Sequence, residues 1–136
     1  MPAKSTLLLC TCAALIVVSP ARAADCPVEG AVAVRAALDK APTCDAAMTI
    51  FGSCGFGSMI DVTLGGIVIE KCEADFLPRL AASRRKAYGR EQKACERKYA
   101  RETGSLYRSE EAFCYAELAR KYARRFGSEK AAGRRK

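Results

Sequence analysis

The chain has no histidine and no tryptophan among its 136 residues. Without histidine no general base titrates near neutrality unless a carboxylate or lysine is strongly shifted, so the composition argues against an enzyme. There is no C-x-x-C pair either, and with scattered cysteines and no imidazole a metal site is not expected. Beyond residue 23 no apolar run approaches the roughly 20 residues that a membrane-spanning helix needs. The glycines gathered in GSCGFGS (52–58) follow neither the Rossmann nor the Walker spacing, so this stretch reads as a turn and not a phosphate loop. Nothing here calls for a cofactor.

What is present begins with an export signal. Lys4 supplies the positive start, and Leu7 to Val18 is apolar except for Thr11. Ser19-Pro20 ends the run, and Ala21-Arg22-Ala23 fits small-x-small cleavage, so residues 1–23 read as a signal peptide that takes Cys10 and Cys12 with it. Six cysteines remain: Cys26, Cys44, Cys54, Cys72, Cys95 and Cys114. An even set behind an export signal predicts three disulfides in an oxidising compartment, periplasmic or secreted, and leaves no free thiol nucleophile.

The cysteines also fall on helical stripes. Cys72, Phe76 and Leu80 recur every four residues, as do Cys95 and Tyr99. Gly104-Ser105 suits the end of one helix and the cap of the next. Cys95 lies nine residues before Gly104 and Cys114 ten after it, so two helices folded back there bring both sulfurs to one height, roughly 14 Å from the turn. The same midpoint argument centres Cys26 and Cys54 on Lys40, and Cys44 and Cys72 on Ser58, both at expected turns. Fifteen pairings are open to six cysteines. Sequence does not choose uniquely among them; the set 26–54, 44–72 and 95–114 places all its midpoints on expected turns and is the expected one.

The expected elements are a helix over 29–39, one over 44–53 capped by Thr43 with Met48 and Phe51 inward, one over 81–103, and one over 105–126 closed by Gly127. Residues 59–80 are ambiguous. VTL-GG-IVI (62–69) has the look of a two-residue β-hairpin, whereas Leu64, Val68, Cys72, Phe76 and Leu80 keep a four-residue spacing that favours helix. In the helical reading Asp61 is the N-cap, Gly65-Gly66 a weak spot or a close-packing site, and Pro78 a kink or break. The fold class is therefore all-α: a small disulfide-stapled bundle of about four helices built from antiparallel hairpins. It spans 24–126, followed by a disordered basic tail, 127–136.

Charge is unevenly placed. Removing Lys4 and Arg22 from the 23 basic residues leaves 21 against 15 acidic. Residues 24–80 hold four basic and eight acidic residues, and 81–136 hold seventeen and seven. Lys86, Arg90, Lys93, Arg97 and Arg101 step along one helix face opposite Tyr88, Cys95 and Tyr99, with Lys121, Arg124 and Arg125 able to add to it. This is a candidate site for anionic lipid or polysaccharide. The bland alternative is a solvated face, since Glu91, Glu96 and Glu102 are interleaved and can pair locally. Nucleic acid is not expected, because export argues against it and the tyrosines lie on the apolar seam. The carboxylate clusters Glu110-Glu111 and Glu70, Glu73 and Asp75 read as helix-stabilising charges and not as a hydrolytic pair.

Counting from Cys72, leucines stand at plus five (Leu77) and plus eight (Leu80) and a tyrosine at plus sixteen (Tyr88). This spacing resembles the core signature of the LprI-type lysozyme-inhibitor family, small exported cysteine-containing helical proteins of bacteria. It departs from that pattern at Ala81 and Arg84. The resemblance implies a non-catalytic binding protein whose partner is a lysozyme or another envelope protein. Lysozymes are mostly basic, so the contact would fall to the acidic 24–80 half.

Overall fold

The computed structural model describes residues 25–127; the expected signal peptide, 1–23, lies outside the described residues, as does the expected tail 127–136 except for Gly127, which is part of an ordered turn. Five α-helices make up the bundle: α1 (Ala31–Lys40), α2 (Cys44–Ser53), α3 (Ile60–Phe76), α4 (Ala82–Tyr99) and α5 (Ser105–Tyr122). A 3₁₀ turn, Leu77–Arg79, links α3 to α4, and a π turn, Ala123–Gly127, closes α5. The expected four helices become five because 60–76 is helical throughout, which settles the hairpin alternative. Pro78 sits inside the 3₁₀ turn, so it ends the helix.

Local chemistry explains most boundaries. Thr43 Oγ1 accepts from the Ala46 amide at 3.1 Å and starts α2. Gly30, at φ 81°, keeps α1 from starting before Ala31, two residues later than expected. Lys71 Nζ donates to the carbonyls of Ala41 (2.8 Å) and Asp39 (3.3 Å), placing a cation on the C-terminal end of α1. Gly104 does take a positive φ, 107°, but as the residue before α5 and not as the end of α4, which stops at Tyr99. Ser105 is then the first residue of α5 and makes no cap bond.

The core lies around α3, which packs against α1, α2 and α5. Val68, Cys72 and Phe76 are fully buried, with Val34 and Leu38 of α1, Ala47 and Phe51 of α2, and Ala116 and Ala119 of α5 around them. Gly65 is a close-packing site: a β-carbon there would stand 3.2 Å from Phe51 Cζ and 3.3 Å from Ala112 Cβ. Gly66 faces open space. Disulfides join Cys26 to Cys54, Cys44 to Cys72 and Cys95 to Cys114, the pairs whose midpoints fall on turns. Three such bonds belong to a protein of an oxidising environment. Among the described residues, no helix is long and apolar enough to cross a membrane.

Asp61 has a different role from the one expected. It is the second residue of α3, fully buried, and its carboxylate binds the loop before the helix. The Phe56 amide donates to Oδ1 and Oδ2 at 3.1 Å each, and the Ser58 amide to Oδ2 at 3.2 Å. Ser109 Oγ of α5 adds a 2.6 Å bond to Oδ2. A buried charge is tolerated when donors surround it in this way.

Candidate functional site

α4 is a polar helix held by one narrow edge. Of its 18 residues only Tyr88, Cys95 and Tyr99 are buried, at steps of seven and four. Tyr88 stands edge-on to Phe76 at 5.2 Å, and its hydroxyl donates to Glu73 Oε1 at 2.8 Å. Burial and that carboxylate push the Tyr88 hydroxyl well above its ordinary pKa, so it stays a donor. Cys95 is bonded to Cys114 of α5. At the far end Arg108 of α5 donates through Nη2 to the carbonyls of Tyr99 (3.0 Å) and Glu102 (3.4 Å), fixing the turn between the two helices.

This edge turns the opposite face outward. Lys86, Arg90, Lys93 and Arg97 are all exposed on α4, while Arg101 is exposed two residues beyond its last turn. Four of the five predicted cations therefore lie on the helix, and the fifth lies in the turn because α4 stops short of the expected 103. None of the five takes part in an ion pair among the described residues.

Of the three interleaved acids Glu96 and Glu102 are exposed, while Glu91, half-buried, reaches across to α5. It accepts from the Tyr122 hydroxyl at 2.6 Å and from Lys121 Nζ at 2.9 Å. These two bonds, the tyrosine's first, hold its carboxyl below the ordinary range, and burial with the same bond lifts Tyr122 to about 12. Lys121 is thereby drawn into the α4–α5 seam. Arg124 is also engaged elsewhere: Arg120 and Arg124 donate through Nε to Asp45 Oδ1 at 2.7 and 2.8 Å. Arg120, then Arg124, lower the Asp45 pKa. Arg125 instead lies over the Phe126 ring at 5.1 Å, with Arg84 over the same ring at 4.8 Å. Arg84 was not among the expected cations; it is exposed at the start of α4 and lies off the five-residue stripe.

The carboxylates considered for hydrolysis are occupied or dispersed. Glu73 serves Tyr88, Glu111 serves Arg108, and Glu110 is exposed. Among the described residues no three cysteine, aspartate or glutamate side chains group as metal ligands would. The residues of the Cys72–Tyr88 spacing are packing positions: Cys72, Leu80 and Tyr88 are buried and Leu77 is half-buried against the core. No family model, no curated protein and no solved structure matches this chain.

Proposed function

We propose that this is an exported, non-catalytic binding protein of the bacterial periplasm or cell exterior, holding anionic envelope material through the outer face of α4. One observation carries the reading: among the described residues none of the five exposed cations is in an ion pair, and of the three interleaved acids Glu91 is tied into the α4–α5 seam, leaving Glu96 and Glu102 beside five cations. A stripe of net positive charge on a low-dielectric body raises the local concentration of anions. The absence of histidine and the pairing of all six described cysteines support binding over catalysis.

The lysozyme-inhibitor reading rests on the Cys72–Tyr88 spacing and needs the acidic half as its contact surface. In that half Asp45, Asp61 and Glu73 are spent on internal bonds, which weakens it relative to the cationic face.

The test is binding of the oxidised protein to dextran sulfate at low and high salt, with a lysozyme inhibition titration alongside. Binding at low salt should fall steeply as salt rises, because exposed charges are screened beyond about 8 Å at physiological ionic strength. The triple variant K86E/R90E/K93E should lose about tenfold or more in affinity at low salt. Retention of that variant equal to wild type would sink the reading. Stoichiometric lysozyme inhibition without polyanion binding would replace it with the inhibitor.

A further inference from the structure

The α4 stripe ends beside a patch of exposed apolar side chains. Six large hydrophobic residues are exposed among the described residues, and five of them, Phe56, Met59, Val62, Leu106 and Tyr107, come from the 54–59 loop and the first turns of α3 and α5. Leu106 Cδ1 lies 3.5 Å from where a Gly57 β-carbon would stand, so loop and helix turn adjoin. Met59 and Val62 continue the patch into a mainly apolar groove that Ile69, Ala112 and Tyr115 line together with the paired Arg108 and Glu111. α4 runs antiparallel to α5, so its C-terminal cations, Arg97 and Arg101, are at this same end, with Glu96 and Glu102 the acids among them.

The loop is held in place and does not merely stray outward. Asp61 takes the Phe56 and Ser58 amides, and Ser109 anchors Asp61 to α5. Gly57 adopts φ 63°, and a β-carbon on Gly55 would come within 2.7 Å of Phe113. The fold thus uses a buried carboxylate and two conformationally demanding glycines to present Phe56 and Met59 to solvent. A soluble polysaccharide can stack on the rings of Phe56 and Tyr107 but gives Met59, Val62 and Leu106 no apolar phase to enter. A lipid interface does: aromatic and aliphatic residues enter the headgroup–acyl boundary while adjacent arginines meet anionic headgroups.

We infer that the anionic partner is a phospholipid bilayer, engaged end-on by insertion of Phe56, Met59, Leu106 and Tyr107 with Arg97 and Arg101 on the headgroups. The inference rests on the cationic reading of α4 and narrows it to one partner.

The test is sedimentation of the oxidised protein with phosphatidylcholine vesicles made with and without phosphatidylglycerol, in parallel with dextran sulfate. F56S/L106S should lose about tenfold or more in affinity for the anionic vesicles and keep its dextran sulfate binding. R97E/R101E should lose about tenfold or more in affinity for the anionic vesicles, while K86E/R90E/K93E, farther from the inserted end, should lose dextran sulfate and keep most of its vesicle binding. Because the chain has no tryptophan, L106W supplies a single reporter whose emission should shift to the blue with anionic vesicles only. Vesicle binding by F56S/L106S equal to wild type, with L106W emission unmoved, would overturn the insertion and leave the cationic face standing. Wild-type failure on both vesicles and dextran sulfate would overturn the cationic reading itself and this inference with it.

Discussion

α3 and α4 are nearly equal in length, 17 and 18 residues, and use their side chains in opposite ways. α3 buries Asp61, Leu64, Gly65, Val68, Cys72 and Phe76, and meets α1, α2 and α5. α4 buries three residues and leans chiefly on α5. Apolar burial is worth roughly 25 cal/mol per Å², so α3 organises the stability of the domain while α4 contributes little to it beyond its edge. The contrast separates two jobs within one small domain. One helix can be committed to the core only if another is released to carry surface chemistry, and a disulfide holds the released one in place.

Removing disulfides is the most forceful way to break this comparison. The Cys95–Cys114 and Cys44–Cys72 bonds have sequence separations of 19 and 28, so on chain entropy alone each contributes about 3 kcal/mol, with little between them. Both double serine variants should show a loss of that size in urea unfolding. Their hydrogen-exchange patterns should differ. Without Cys95–Cys114, the α4 amides should open well below the global limit while those around Val68 stay at it. Without Cys44–Cys72, both helices should exchange together. An α3 that loosens locally when the α4 bond is removed would mean that the two are one cooperative unit.

A smaller effect sharpens the picture within α3. Glycine in a helix interior costs about 0.5–1 kcal/mol relative to alanine. Gly66→Ala should gain that amount, since nothing stands within 4 Å of its β-carbon. Gly65→Ala places its methyl 3.2 Å from Phe51 and 3.3 Å from Ala112 and should be the less stable of the two by about 1 kcal/mol. Equal stabilities by thermal and urea unfolding would show that α2, α3 and α5 are less tightly packed at Gly65 than these distances require.

The same contrast governs what could be read in advance. α4 and α5 were legible as two helices on either side of Gly104, although α4 stops at Tyr99 and α5 at Tyr122, each four residues short of the expected end, and the cysteine spacings across the turns followed from helical rise. α3 was hard to read for the reason that makes it central. A helix enclosed by three others has apolar residues around much of its circumference, so VTLGGIVI carries no clear stripe and its β-branched residues resemble strand. The cationic stripe was legible as a periodicity. The internal commitment of Glu91 was not, because it depends on Tyr122, 31 residues away. The roles of Asp61 and Ser109 were equally hidden, since their bond spans 48 residues. Phe56 disappeared into a glycine-rich turn, where composition predicts a loop but not the side chain that the loop displays.

The mildest perturbation is acid, acting through two surface carboxylates, Glu91 on α4 and Asp45 on α2. Glu91 and Asp45 both have lowered folded pKa values, so the unfolded chain binds their protons more readily as the pH drops. Their contribution is present above the ordinary carboxylate range and is lost as pH falls through that range and through the lowered folded values. Both side chains are well exposed, 41 % for Glu91 and 52 % for Asp45, so solvent screening keeps each contribution under about 1 kcal/mol. Salt distinguishes the two. The first support of Asp45 is a charged guanidinium, Arg120, which added salt weakens, while that of Glu91 is the neutral Tyr122 hydroxyl, which salt leaves alone. An NMR titration of the two carboxyls should therefore show the Asp45 pKa drifting upward with ionic strength and that of Glu91 moving less. Tyr122→Phe should return Glu91 toward its ordinary value. If it does not, Lys121 is the partner that holds Glu91, and the α4–α5 seam depends on a surface ion pair.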